Sequence, residues 1–411
     1  CIRDRCGRVA FAFPGGGAWG THAGADLLAC QPAFRTALAD ADEALRPLLG
    51  WSVRDALAAL AEGRSRSAPT AADVAQPLLF AVQVGLVAVL RGYGLRPAAV
   101  VGHGCGAPAA AWAAGVLDLQ AAARVVTEQS RALASTVGDW GMATLGAPVP
   151  RVRRMLAPYQ GRVDIAAVDT DQDVTVSGDK SALTLLAQDC LRHGVSFRDL
   201  GLDYALHSPA MDGLERGLRA ALADLKPGRA RVPYTCASAG TVLTGPELDA
   251  GYWWHNLRDP VRFGPAVAAL RELGCDMFLD VGPRAALSAS LSRLTRQAPH
   301  CVVVPALAPD TPGPRALDTA VARLLAGGAQ IDPGVFFPYP GRVVDLPAYP
   351  WQRAPHWNGS PAAWARGGDG TLDHPLLGER ATVAEPTWHG PLTPARLPWL
   401  TDLRVGDTVV M

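Results

Sequence analysis

Val100-Val101-Gly102-His103-Gly104-Cys105-Gly106 reads as an apolar strand that ends in a sharp turn and opens onto a helix. A junction of this kind lifts one side chain into a cleft, and in nucleophilic catalysis that side chain is a serine or cysteine aimed at a carbonyl. The presented position here is Gly104, which has no atom able to attack. Two neighbours could supply other chemistry. Cys105 carries a thiol at a helix start, where backbone N–H groups lower thiol pKa values, yet it lies one residue past the presented position and its side chain is expected to turn away. His207, in Tyr204-Ala205-Leu206-His207-Ser208-Pro209, is of general-base type. It could activate a water in the space left at the apex, giving slow hydrolysis, or stand as a packed histidine with no partner in catalysis. The bland reading of Gly104 itself is a turn relaxed by a residue that tolerates positive φ.

The elements that must position these residues form an α/β set. Arg8-Val9-Ala10-Phe11-Ala12-Phe13 predicts a strand before Pro14-Gly15-Gly16-Gly17, a loop that can bring backbone N–H groups close to a ligand. Apolar residues recur every three or four positions over 32–48 and 76–93, predicting helices. A helix at 149–156, strands at 165–168 and 174–177, a helix at 180–193 and a strand at 195–200 read as a ferredoxin-like small subdomain over 141–203. A helix at 214–225, a strand at 232–237, the pair Trp253-Trp254 and a strand at 277–281 return to the larger body. Residues 8–140 and 204–305 thus read as a large hydrolase-like subdomain with a central, mostly parallel sheet. Residues 306–357 predict a helix at 317–325 and then a strap rich in proline and aromatics, with Tyr349, Trp351 and Trp357 as its anchors. Residues 358–372 read as a flexible joint, and 373–411 are too few for a domain of their own.

Composition narrows the function classes. Lysine plus arginine equal aspartate plus glutamate, 38 to 38, and no basic stripe stands out, which argues against nucleic acid or a membrane as partner. No apolar run reads as long enough to cross a bilayer. Eight scattered cysteines without a CxxC pair are expected to be reduced and mostly buried, as suits a cytoplasmic protein. No metal constellation, phosphate loop or dinucleotide fingerprint meets its structural context, so no cofactor is expected. The start, Cys1-Ile2-Arg3-Asp4-Arg5-Cys6, lacks an initiator Met and leaves no room for a signal peptide, so the chain is expected to be cut from a longer polypeptide.

Together the motifs resemble one family, the acyltransferase domains of modular type I polyketide synthases, and more distantly the malonyl transferases of fatty-acid synthesis. Phe13-Pro14-Gly15-Gly16-Gly17 resembles the family's Phe-Pro-Gly-Gln-Gly loop, Val101-Gly102-His103-Gly104-Cys105-Gly106-Ala107 its Val-Gly-His-Ser-x-Gly-Glu elbow, and Tyr204-Ala205-Leu206-His207-Ser208 its Tyr-Ala-Ser-His-Ser motif. Tyr252-Trp253-Trp254-His255-Asn256 and Asp280-Val281-Gly282-Pro283 resemble two further signatures. The likeness runs from Arg8 to Trp357. From Asp373 the chain resembles the opening of a synthase dehydratase, with His374-Pro375-Leu376-Leu377-Gly378 as its first strand and Leu403 where that pattern has its catalytic His.

The resemblance implies a serine that attacks an acyl-CoA thioester, a histidine base, an oxyanion hole and an arginine for the free carboxylate of malonyl-type units. It places His207 at the base, Gln76 and His103 in the pocket, and the N–H groups of Gly16 and Cys105 at the oxyanion. Gly104 replaces the serine, Gly16 the loop glutamine, Ala107 the glutamate after the elbow, and Gln129 the arginine. Four departures at separate places argue for natural loss over one engineered change. The chain is therefore expected to be an inactive, architectural domain between a ketosynthase and a dehydratase-like region, with acyl carrier protein and acyl thioesters as partners. Hydrolysis through His207 and water, or acyl transfer through Cys105, is the alternative.

Overall fold

Val9–Phe13 form β1, five residues buried without alternation, as a strand covered on both faces requires. The structure is a computed structural model and describes residues 7–15, 24–62, 64, 71–204, 206–298, 300–308, 310–336, 338–342, 344–345, 347–351, 377, 379–380, 385–390, 394, 397–402 and 404–409. After β1 come helices Pro32–Leu49 and Ala72–Gly92, then β2 (Ala99–Gly102) and, past a single 3-10 turn, helices Ala107–Ala113 and Leu119–Ala134. Next are β3 (Trp140–Gly146), helix Val149–Leu156, β4 (Val163–Val168), β5 (Asp173–Asp179), helix Lys180–Arg192 and β6 (Ser196–Asp199). The chain continues through β7 (Tyr234–Cys236), β8 (Thr241–Leu243), helix Ala250–Arg258, β9 (Val261–Arg262), helix Phe263–Glu272, β10 (Met277–Asp280), helix Ser288–Leu294, β11 (Val302–Pro305) and helix Gly313–Gly327.

The strands make an α/β fold of two sheets. One runs β11-β10-β1-β2-β7-β8, parallel except for the β7–β8 hairpin. The other runs β6-β3-β5-β4-β9, and its first four strands, with helices Val149–Leu156 and Lys180–Arg192, follow the ferredoxin-like β-α-β-β-α-β order. Its core is separate: Leu145, Val152, Val174, Val176 and Leu186 bury one another. The short β9 pairs in parallel with β4, and the backbone N–H of Arg262 donates to the carbonyl of Ala237 just past β7, which ties the small sheet to the large body.

Three expectations change. The small sheet has a strand, β3, absent from the sequence reading; it pairs with both β5 and β6. The helix expected over 214–225 begins as a 3-10 turn, Pro209–Leu214, and its α-helical part stops at Ala221. Ser208 caps that turn, accepting from the N–H of Ala210 at 3.3 Å, and Pro227 discourages extension on the far side. Finally, Ala72–Gly92 is long and apolar enough to cross a bilayer, with a mean hydropathy of 1.8. It is instead a core helix with 83% of that window buried, apolar all round because neighbours surround it.

Residues 342–411 form a second unit with two short hairpins, Glu379–Arg380 with Trp388–His389 and Arg404–Val405 with Thr408–Val409. Tyr349 and Trp351, expected to anchor the strap, are exposed and pack edge to face on each other with centroids 5.0 Å apart. Trp357, the joint at 358–372, His374-Pro375-Leu376, Gly378 and Leu403 lie outside the described residues.

Candidate functional site

The parallel strands β1 and β2 pair Phe13 with Gly102, so the loop after one and the turn after the other leave the sheet side by side. The N–H of His103 donates to the carbonyl of Phe13 at 2.9 Å, and the N–H of Gly106 closes the turn onto the carbonyl of His103 at 3.0 Å. Any side chain at 106 would overlap the Phe13 carbonyl, which makes that glycine obligatory. Gly104 stands at the apex with φ of +51°, the left-handed conformation of a strained elbow. A Cβ placed there would lie 3.1 Å from Nε2 of His207. A side chain at the apex would therefore face the His207 ring.

His207 is 4% exposed and also left-handed, at φ of +60°. Its N–H donates to the carbonyl of Leu257 at 3.1 Å, and its ring lies beside the Asp259 backbone. Burial, reinforced by the charge of His103, pushes its pKa down to about 3; the Asp259 backbone and Asp169 oppose this only partly. The ring is neutral at pH 7, as a base must be, but a pKa so far below the working pH leaves it a poor proton acceptor.

A cleft of about 510 Å³ opens over the elbow, lined among others by Gly15, His103, Gly104, Cys105, Leu206 and His207, with β4, β5 and β6 contributing the opposite wall. His103 Nε2 meets Asp169 Oδ1 at 2.7 Å, and the ring packs edge-on against Phe263 at 5.3 Å. On the same wall Arg293 pairs with Asp173 at 2.6 Å. Both pairs span the two sheets.

The sequence-derived site residues fall in different places. His103, Gly104, Cys105 and His207 converge on the cleft, Cys105 only 7% exposed. Gly16 lies outside the described residues. Gln129, expected at the carboxylate clamp, is 2% exposed and is not among the residues lining the cleft. Its Nε2 donates to the Trp253 carbonyl at 3.1 Å and to Asn256 Oδ1 at 3.2 Å, so the amide stitches two helices together. Gln76 is equally buried and lies beside Tyr204. Arg131 pairs with Glu128 at 2.8 Å and donates to the Leu48 carbonyl, away from the cleft.

Residues 10–331 match the acyl transferase domain family. The chain belongs to that family. Among curated relatives it is 37% identical over 417 residues to the spectinabilin polyketide synthase system protein NorA' of Streptomyces orinoci, covering 98% of this chain and 11% of that protein. It is 38% identical over 369 residues to erythronolide synthase EryA2 of Saccharopolyspora erythraea, covering 88% of this chain and 10% of that protein. The chain thus spans about a tenth of the length of these relatives. Among solved structures it is similar to the acyltransferase domain from module 8 of the salinomycin polyketide synthase, with a TM-score of 0.74 and 34% identity over 80% of this chain and 77% of that one. A loading acyltransferase from the avermectin modular polyketide synthase gives a TM-score of 0.72 and 32% identity over 77% of this chain and 99% of that one.

This acyl transferase domain, of the type found in type I polyketide synthases, holds three residues that sequence reasoning missed. Asp169 partners His103 from 66 positions away, a spacing no local pattern reveals. Gln83 is fully buried, and its Nε2 donates to the carbonyl of Pro14 at 2.8 Å, fixing the loop beside the elbow. A second amide seven residues after Gln76, within an apolar stretch of the same helix, was the available signal. Asp280, at the end of β10, is fully buried. Its Oδ2 accepts from the N–H groups of Leu287 and Ser288 and from the Ser288 hydroxyl, all within 2.9 Å, while Oδ1 has no hydrogen-bond partner among the described residues. Burial outweighs those donors and pushes its pKa up to about 7.

Proposed function

We propose that this acyl transferase domain is catalytically inactive and serves as a rigid spacer within a cytoplasmic polyketide synthase, between a ketosynthase and a dehydratase-like region. One observation carries the reading: the elbow presents Gly104 to His207, so no side-chain atom is there to form an acyl-enzyme. The low basicity of His207 and the engagement of Gln129 by Trp253 and Asn256 support it, since water is poorly activated and a malonyl-type carboxylate meets no guanidinium at that position. In this reading residues 8–140 and 204–305 form the large subdomain, 141–203 the small one, and 306–357 a strap; extender units reach the acyl carrier protein from another transferase, or the module elongates nothing.

Intact-protein mass after incubation with malonyl-, methylmalonyl- and acetyl-CoA tests this directly, with no adduct expected. An adduct that disappears in Cys105→Ala would replace the spacer by a cysteine acyltransferase. Hydrolysis of acyl-carrier thioesters that is lost in His207→Ala would replace it by a hydrolase.

A further inference from the structure

The elbow lies at the C-terminal ends of β1 and β2. At the opposite, N-terminal ends of β2 and β7 the fold opens a second depression of about 690 Å³. Its lining joins Arg91, in the last turn of helix Ala72–Gly92, Arg96 in the loop to β2, Trp112, and Arg231 just before β7. The Arg91 guanidinium lies 5.0 Å over the Trp112 ring, and its Nη2 donates to the Ala113 carbonyl at 3.2 Å. Burial and then the charge of Arg96 hold its pKa below the ordinary value. Arg96 donates only a long bond, 3.4 Å, to the carbonyl of Arg91. The stem of Arg231 lies against Gly115, and among the described residues its guanidinium makes no hydrogen bond or ion pair. Asp118 also lines the depression, but its carboxylate caps helix Leu119–Ala134, accepting from the N–H of Ala121 at 2.7 Å.

Three guanidiniums thus share one depression, and none is ion-paired to a carboxylate among the described residues. Three guanidiniums against the one Asp118 carboxylate leave the depression net positive, and an arriving anion relieves the repulsion among them. Arg91 explains itself locally, as a cation at a helix C-terminus over an aromatic ring. Arg231 has no such local account, and Arg96 only its long bond to the Arg91 carbonyl; both are exposed and come from separate loops. Cations drawn from a helix end and two loops around an aromatic ring match carboxylates spaced along a chain. We propose that this depression docks an extended acidic peptide segment from another part of the synthase. The relatives extend far beyond the aligned tenth, so such segments have somewhere to come from. The inference stands whether or not the cleft transfers acyl groups.

The test titrates the full chain with a fluorescein-labelled peptide of alternating glutamate and serine, and with its glutamine counterpart, by anisotropy. Binding of the glutamate peptide alone is expected, weakening about tenfold in Arg96→Glu/Arg231→Glu and falling similarly as salt rises from about 50 to 300 mM. The cleft variant Arg198→Glu, with unchanged melting temperature, should bind as the wild type does. Equal binding in the double variant, or loss in Arg198→Glu instead, would overturn the assignment. So would displacement of the peptide by an equal concentration of inorganic phosphate or coenzyme A, which would mark a small-anion site.

Discussion

Gly104 and His207 face each other with the same left-handed backbone, at φ of +51° and +60°, and differ in what each retains. At the elbow a glycine holds the conformation without strain. At 207 a histidine holds it, and a side chain at positive φ costs on the order of 1–3 kcal/mol. Strain with no nucleophile to serve is sustained by the shell around it, including the Leu257 carbonyl bond and near-complete burial. Backbone shape and side-chain chemistry are separable here. The first is held by packing from many residues, the second by single atoms.

The largest effect expected from that separation is restoration. Deleting the nucleophile of a serine–histidine pair costs about six orders of magnitude in turnover. If only side chains were lost, Gly104→Ser combined with Gly16→Gln and Gln129→Arg acquires an acyl adduct from malonyl-CoA, seen by intact mass, where the wild type acquires none. Omitting Gln129→Arg should leave acetyl-CoA accepted and malonyl-CoA refused, because an uncharged amide cannot pair with the carboxylate. A triple variant that stays unlabelled would show that the shape of the cleft has changed as well, and the separation would fail.

A second comparison, of His207 with Asp280, gives opposite pH signatures of intermediate size. The folded pKa of His207, about 3, lies below its unfolded value, so its contribution is intact above pH ~6.5 and is lost as pH falls toward 3. The folded pKa of Asp280, about 7, lies above its unfolded value, so its contribution is intact below pH ~4 and is lost as pH rises toward 7. Between about pH 4 and 6.5 the two slopes oppose each other. Urea unfolding across that window should show stability rising with pH in Asp280→Asn and falling with pH in His207→Gln, each by on the order of a few kcal/mol. Parallel profiles in the two variants would mean that burial does not control these groups.

Much of the scaffold was legible because its signals are local. The unbroken apolar run of β1, the strand-turn-helix of the elbow and the helical period of 32–48 each lie within one window of sequence. β3 was not legible: Trp140-Gly141-Met142-Ala143-Thr144-Leu145-Gly146 has glycines near both ends, a single β-branched residue, and partners that begin only at Asp173, beyond an intervening helix and strand. The site divides in the same way. Gly104 and His207 announce themselves by their motifs, whereas the Asp169–His103 and Gln83–Pro14 bonds exist only after folding. Gln129 shows the converse, since position in a motif does not fix where a side chain points.

The smallest predicted effect tests the elbow alone. Gly104→Ala adds one methyl group and no chemistry. Its Cβ must adopt φ of +51° and lie 3.1 Å from His207 Nε2, closer than an unforced contact allows. Both terms are unfavourable, and the substitution should cost about 1–2 kcal/mol, read as a lower urea midpoint with an unchanged slope. Glycine would then be the stable choice for a turn relieved of catalysis, and the retained shape would owe nothing to a side chain at its apex. A neutral or stabilising alanine would mean that the elbow is free to relax, and that the likeness between the two facing turns ends at the backbone of His207.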